Sequence, residues 1–394
     1  MITVTQALRQ VTNLFAPLKV ETVPLRKAAG RVLAQNVRAT RNQPPFAASA
    51  MDGYALRASE LRVGATFRVI GEAAAGNAFD GRVNFGETAR IFTGAPVPEG
   101  ADHVVMQENI TRDNNVITIS QTFEDKPYIV PLGDDFSVGD EVSAPLRLRA
   151  SHVALMASMN IAEVPVFRRP IIALVATGDE LVMPGETPGP DQIIASNSFG
   201  LAAMLEAVGA EIRMLPIAKD TPQSLRLVLK LCAGADMIVT IGGASVGDHD
   251  IVHSVATELG LETSFYKVAM RPGKPLMAGR LMDTPMVGLP GNPVSTMVCG
   301  QVFLIPAVQK MLGLGGEPLE RERVLLASPL PKNGSREHYM RARLATKNGQ
   351  VYVHPFSRQN SALLTVLADA DAMLVRPVDD LAHEIGATVE IIRL

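Results

Sequence analysis

The run Ile171-Ile172-Ala173-Leu174-Val175-Ala176 is continuously apolar and stops at a polar, glycine-containing corner, Thr177-Gly178-Asp179-Glu180. An unbroken apolar run of that length reads as a strand buried on both faces. The chain then repeats the theme. Residues 197–208 have helical spacing, 212–217 read as a strand, 222–233 as a helix and 237–241 as a second apolar strand. Further strands near 264–269 and 286–289, with helices near 250–259 and 294–312, extend the series into a doubly wound parallel sheet. Sites in such folds collect beyond the carboxyl ends of the strands.

Outward from this segment the texture changes. Residues 3–15 place Val4, Ala7, Leu8, Val11, Leu14 and Phe15 on one helical face, with Thr3 or Thr5 available as a cap. Residues 38–140 hold short β-rich runs separated by Gly, Asn-Asn and Pro turns, and residues 151–162 turn helical again. The pattern predicts a helical framework domain from 1–37 and 141–169, interrupted by a β-rich insertion at 38–140. The α/β domain then occupies 170–317. Short strands after Pro318 predict a small C-terminal β-barrel at 318–394.

The 394 residues suffice for several domains. Lys plus Arg number 37 and Asp plus Glu 40, so 37 − 40 leaves a formal charge of −3, which argues against nucleic acid as a partner. Trp is absent and aromatics are 5%, too few for base-stacking platforms. Cys232 and Cys299 stand far apart without CxxC spacing, so neither a disulfide framework nor a thiolate zinc site is expected. The start lacks a signal-like pattern and no apolar run approaches the roughly 20 residues of a membrane span. The expectation is a soluble cytoplasmic protein with no membrane partner.

The chemistry is expected in the loops. Gly242-Gly243-Ala244-Ser245-Val246-Gly247-Asp248-His249-Asp250 follows an apolar strand and leads into a helix, either as a phosphate cradle or as a tight βα turn. GxGxxG and GxxxxGK[ST] are both missing. Lys267-Val268-Ala269-Met270-Arg271-Pro272-Gly273-Lys274-Pro275 carries three cations on a stiff backbone suited to phosphate oxygens. Leu289-Pro290-Gly291-Asn292-Pro293 is a rigid turn before a helix. His249 and His253 echo a zinc-protease spacing, but the Glu base is missing and no third ligand is apparent. No GxSxG elbow occurs, so covalent catalysis is not expected. Acidic residues Asp52, Glu180, Asp220 and Asp250 accompany the cations Lys267, Arg271, Lys274 and Arg341; carboxylates beside phosphates point to Mg²⁺. Asp220 precedes Thr221-Pro222, where a helix-cap role competes with ligand binding.

Seven ordered motifs resemble those of one family. Met51-Asp52-Gly53-Tyr54-Ala55, Phe92-Thr93-Gly94-Ala95, Pro98-Glu99-Gly100-Ala101-Asp102, Thr177-Gly178-Asp179-Glu180-Leu181, Gly242-Gly243-Ala244-Ser245-Val246-Gly247, Arg271-Pro272-Gly273-Lys274-Pro275 and Leu289-Pro290-Gly291-Asn292-Pro293 look like those of the molybdopterin molybdenumtransferases, the MoeA proteins and the E domain of gephyrin. The resemblance implies a homodimer that inserts molybdate into adenylylated molybdopterin, with Mg²⁺-dependent release of AMP. It also leaves room for other molybdenum cofactor biosynthesis proteins as partners. It implies that Asp52, Thr93, Glu180, Asp220 and Asp250 serve catalysis, with Glu180, Asp220 and Asp250 at the metal. Gly242, Gly243, Ser245, Gly247, Lys267, Arg271, Lys274, Pro290, Pro293, Arg341 and Ser361 would bind the substrates. Asp52 and Thr93 would reach into the site of the partner subunit. Arg271 stands where some members carry Lys, and Gln359-Asn360-Ser361 replaces a more glycine-rich loop, where Ser361 could instead cap a helix from Ala362. Two rival readings remain: adenylyl transfer to molybdopterin, the preceding step, and a scaffold of the same fold without chemistry. The residues do not choose between molybdate and tungstate, or between molybdate and water as the group attacking phosphorus.

Overall fold

The computed structural model describes residues 1–122, 126–243 and 251–394. The chain forms two compact units, one of Met1–Glu21, Gly30–Ala34 and Val166–Leu394, the other of Thr22–Ala29 and Gln35–Pro165.

Helix α1 (Val4–Thr12) begins at a capping box: the Thr3 hydroxyl accepts from the Gln6 N–H and the Gln6 side chain accepts from the Thr3 N–H. Its Val4, Ala7, Leu8 and Val11 are buried in the apolar cluster of the α/β sheet. α1 lies in the first unit because its apolar face finds its partners there, whereas α2 (Ala150–Ser158), which buries only Met156, lies in the second.

The second unit is built on a six-stranded sheet of β1 (Gly53–Leu56), β2 (Thr66–Ala73), β3 (Glu87–Ile91), β4 (His103–Met106), β5 (Ile110–Asp113) and β6 (Val116–Ile119), in the order β4-β1-β3-β2-β6-β5. Tyr54, Leu56, Phe67, Val105, Ile117 and Ile119 form one of its cores.

The first unit contains the expected α/β fold. Its strands are β7 (Ile171–Ala176), β8 (Glu211–Met214), β9 (Met237–Ile241), β10 (Leu261–Tyr266), β11 (Met270–Arg271), β12 (Met277–Leu281) and β13 (Thr284–Leu289). All but β11 pair in the order β8-β7-β9-β13-β12-β10. The four strands β8, β7, β9 and β13 are parallel; β12 and β10 add an antiparallel edge. Strand β12, Met-Ala-Gly-Arg-Leu, is missing from the sequence reading because its Gly and Arg blur the apolar run that marked its neighbours.

Alternate residues of β7 enter opposite cores. Ile172 and Leu174 pack with α1, α3 (Asn197–Ala207) and the helix from Pro293, while Ala173 and Val175 pack with α4 (Pro222–Lys230) and α5 (Ile251–Glu258). Helices on both faces make the sheet doubly wound. The last helix runs as α6 (Pro293–Cys299), a π-helical turn Gly300–Leu304, and α7 (Ile305–Met311). Contrary to expectation, this stretch is long and apolar enough to cross a membrane, but 78% of its apolar window is buried as core.

The chain ends in a closed barrel of β14 (Glu322–Leu326), β15 (Glu337–Lys347), β16 (Gln350–Pro355), β17 (Ala372–Arg376) and β18 (Thr388–Arg393). Closure comes from β17 pairing back onto β15. Strand β11 adds a parallel bridge to β15, and α8 (Leu364–Ala368) links β16 to β17. Tyr339, Met373, Val375 and Ile392 join the barrel to the α/β core.

Candidate active site

A cavity of about 740 Å³ opens at the carboxyl ends of β7 and β9. Its polar lining includes Thr177, Glu180, Asn197 and Asp220, and the first residues of α3, α4, α5 and α6 border it. Helix N-termini carry unpaired N–H groups and partial positive charge, so their convergence suits an anion.

The strand ends set this geometry. Thr177 N–H donates to Ile241 O at 3.0 Å, and Gly242 N–H to Leu289 O at 3.1 Å, which aligns three loops at one edge. Gly243 holds φ +65°; a Cβ there would lie 2.3 Å from Val252 Cγ2 and 2.8 Å from Thr177 Oγ1. The backbone passes so close that only glycine fits. On the far side Thr296 Oγ1 donates to Pro290 O at 2.6 Å, and Asn197 Nδ2 to Gly291 O at 2.7 Å, fixing the turn that ends at Pro293.

Of the expected site residues, Glu180, Asp220, Gly242, Gly243 and Pro293 line this cavity, and Pro290 braces its rim through that carbonyl. Asp220 is not the helix cap. Thr221 takes that role, its hydroxyl accepting from the Ser224 N–H, and Asp220 is left to face the cavity. Burial, with the Asp179 and Glu180 carboxylates nearby, holds the Asp220 carboxyl above its ordinary value. Ser245, Gly247 and Asp250 lie outside the described residues.

The sequence reading missed Thr177 and Asn197. Both line the cavity with a buried oxygen, Thr177 Oγ1 and Asn197 Oδ1, that has no partner among the described residues. Their signal was position alone, at a strand end and in the first turn of a helix.

Among the described residues no three His, Cys, Asp or Glu side chains form a ready metal cage. Glu180 and Asp220 nonetheless fit Mg²⁺, which takes hard oxygen ligands and usually rests on one or two carboxylates plus substrate phosphates.

A second cluster is cationic. Arg341 on β15 is fully buried, yet its Nε and Nη1 have no partner among the described residues. The loop that departs from the glycine-rich pattern holds it: Gln359 exchanges hydrogen bonds with the Arg341 backbone, and Arg341 Nη2 donates to Asn360 O at 3.1 Å. Burial and the Arg271 charge lower the guanidinium to about 10, so it stays charged at neutral pH. Ser361 caps no helix; its carbonyl accepts from the Val294 N–H at 2.9 Å, tying this loop to α6 beside the cavity. Arg271 is exposed and Lys274 half-buried on the stiff loop. There Gly273, at φ +112°, packs so tightly that a Cβ would lie 2.5 Å from Cys299 Sγ. Lys267 instead places its ammonium 4.9 Å over the Tyr266 ring.

Asp52 and Thr93 belong to the other unit. There the Asp52 carboxylate accepts from both the N–H and the hydroxyl of Thr93, each at 2.8 Å. Burial pushes the thiols of Cys232 and Cys299 up, Cys232 to about 11, so neither is a ready nucleophile.

Residues 2–160 match the MoeA N-terminal region (domain I and II), residues 173–310 the probable molybdopterin binding domain, and residues 323–394 the MoeA C-terminal region (domain IV). The molybdopterin molybdenumtransferase of Nostoc sp. is 35% identical over 95% of this chain and 88% of its own length. The chain belongs to the molybdopterin molybdenumtransferase family. The Bacillus subtilis molybdopterin molybdenumtransferase is 30% identical over 99% of this chain and 94% of its own. Two crystal structures of the molybdopterin biosynthesis MoeA protein from Pyrococcus horikoshii superpose with TM-scores of 0.85 and 0.84. Their identities are 28% and 25%, each covers 100% of this chain, and 99% and 100% of those chains are covered in turn. Membership makes this chain a transferase of molybdenum cofactor biosynthesis.

Proposed function

We propose that this chain inserts molybdate into adenylylated molybdopterin with Mg²⁺-dependent release of AMP. The observation that carries the reading is Arg341, a buried guanidinium whose Nε and Nη1 have no partner among the described residues, with Arg271 close enough to depress it. Such a group is costly to bury alone and is matched by a tetrahedral oxyanion or a phosphate. The cavity lined by Glu180 and Asp220, bordered by helix N-termini, takes the diphosphate. Mg²⁺ bound there would offset the diphosphate charge and polarise a phosphoryl oxygen. This chain's own residues orient the ligands: the Gly242–Gly243 backbone approaches the phosphates, the Thr177 hydroxyl donates to them, Asn197 Oδ1 accepts from a ligand N–H or O–H, and Arg271, Lys274 and Arg341 hold molybdate. A P–O bond of the diphosphate breaks as an oxygen of molybdate or of water bonds to phosphorus, and AMP is released.

The reading includes a cytoplasmic homodimer in which the inserted domain around 38–140 brings Asp52 and Thr93 to the partner's α/β domain. Single-turnover assays with adenylylated molybdopterin, molybdate and Mg²⁺ test it. AMP release that depends on both molybdate and Mg²⁺ is expected; ATP consumption with bare molybdopterin would instead support adenylyl transfer.

A further inference from the structure

His338 stands at the opening of β15, three residues before Arg341, and takes no part in the substrate contacts proposed for its neighbours. The strand register seats it between two cations, opposite Arg271 on β11 and opposite Arg376 on β17. Bridge partners point to the same face, so the imidazole shares its side of the strand with both guanidinium groups. It is 7% exposed, and Nε2 has no partner among the described residues. A buried ring nitrogen left without a hydrogen bond is unfavourable and marks a place where something else completes the site.

The charges that face it are unbalanced. Arg271 faces it from β11 and Arg376 from β17, Arg336 precedes it in the connecting loop, and Arg341, three residues on, lies on the opposite face of β15 but within electrostatic reach. The carboxylates of Glu337 and Asp380 are already engaged. Glu337 binds Arg321 at 3.0 Å and accepts from the Tyr339 hydroxyl, while Asp380 binds Arg376 and lies 3.0 Å from His383 Nε2. Burial first, then the four arginines, bring the imidazole down to about 4, so it is neutral at physiological pH.

We propose that His338 takes up a proton when a tetrahedral oxyanion binds at Arg271, the cation opposite it on β11, so that anion capture by this enzyme is proton-linked. The inference rests on the reading of Arg271 and Arg341 as anion ligands. A dianion there offsets the positive charge that, together with burial, keeps the imidazole neutral, and gives a protonated Nε2 an acceptor, so that Nε2 binds a solvent proton and becomes a donor. No other reactant is needed. Linkage sets the sign: a base whose pKa rises on binding strengthens binding as pH falls through the bound-state value.

Calorimetric titration of the full-length protein with sodium molybdate, in buffers of different ionisation enthalpy between pH 6 and 8, measures it. Wild type should take up as much as one proton per anion, and affinity should rise up to about tenfold per pH unit on acidification. His338→Gln should still bind molybdate at pH 8 but lose the uptake and flatten the pH profile, whereas His383→Gln should keep both. Binding by wild type without proton uptake, or uptake that survives His338→Gln, overturns the role of His338 and leaves the anion site standing. Failure of the anion-site reading looks different: Arg341→Met would then bind molybdate as tightly as wild type.

Discussion

Among the described residues, the Asp52 carboxylate takes its hydrogen bonds from Thr93 alone, which donates both its backbone N–H and its hydroxyl to Oδ1. These two bonds hold the Asp52 carboxyl below its ordinary value, with a further contribution from Arg90. Thr93→Val removes one of them and keeps the other. The Asp52 pKa should move up part of the way toward 3.8, as read by carboxyl-carbon NMR titration, and turnover should fall because the carboxylate is no longer fixed. An unchanged pKa would show that the backbone bond alone sets it.

If Asp52 serves a partner's site, mixing Asp52→Ala with Asp220→Ala protein restores activity. About half of randomly exchanged dimers are mixed, each with one complete site of two, giving roughly a quarter of wild-type activity. No recovery after verified exchange would place Asp52 and Asp220 in the same subunit's site.

Asp220 is raised by burial and by Asp179 and Glu180, so its ionised form is disfavoured in the folded protein. The sign follows from linkage: a carboxyl with a raised folded pKa loses stabilisation as pH climbs through that pKa. Asp220→Asn should therefore melt no lower than wild type at pH 7, and its melting temperature should respond less to acidification through the Asp220 titration. It should release AMP ~100-fold more slowly, the loss expected for an electrostatic group at the reacting bond. Parent-rate release would remove Asp220 from the mechanism.

Arg341 opposes stability to binding in the same way. Its guanidinium is lowered to about 10, meaning that the fold disfavours the charge at every pH below that value. Arg341→Met should be at least as stable as wild type at pH 7, while molybdate affinity falls by about 10- to 150-fold, the worth of one charge-assisted hydrogen bond. Thermal melts with and without molybdate read both: the wild type should gain more from the anion than the variant.

Gly243 and Gly260 both hold positive φ, at 65° and 92°, but only Gly243 is crowded; nothing lies within 4 Å of a Cβ at Gly260. Gly260→Ala should cost about 1 kcal/mol, the left-handed penalty alone. Gly243→Ala adds a clash with Val252 and Thr177 and should cost more, about 2–4 kcal/mol by denaturant titration, with weaker binding in the cavity.

The order of elements in the α/β unit was legible because local patterning and tertiary burial agree there. Ile171–Ala176 is apolar on both faces and is buried on both, and Thr3 caps the helix its spacing announces. The family motifs were legible for a related reason: a loop such as Gly242–Gly243 needs its residues for backbone geometry, which leaves a mark in the sequence itself. Burial without a partner leaves no such mark. Arg341 read as one cation among several, and His338 carried no signal at all, until pairing across β11, β15 and β17 showed what surrounds them. Sequence alone thus determined the order of most elements in the α/β unit and the backbone geometry of its glycine loops, since both follow from local periodicity and backbone constraint. Only the tertiary structure decided which charges are left uncompensated, because that depends on residues distant in the chain meeting where water is excluded.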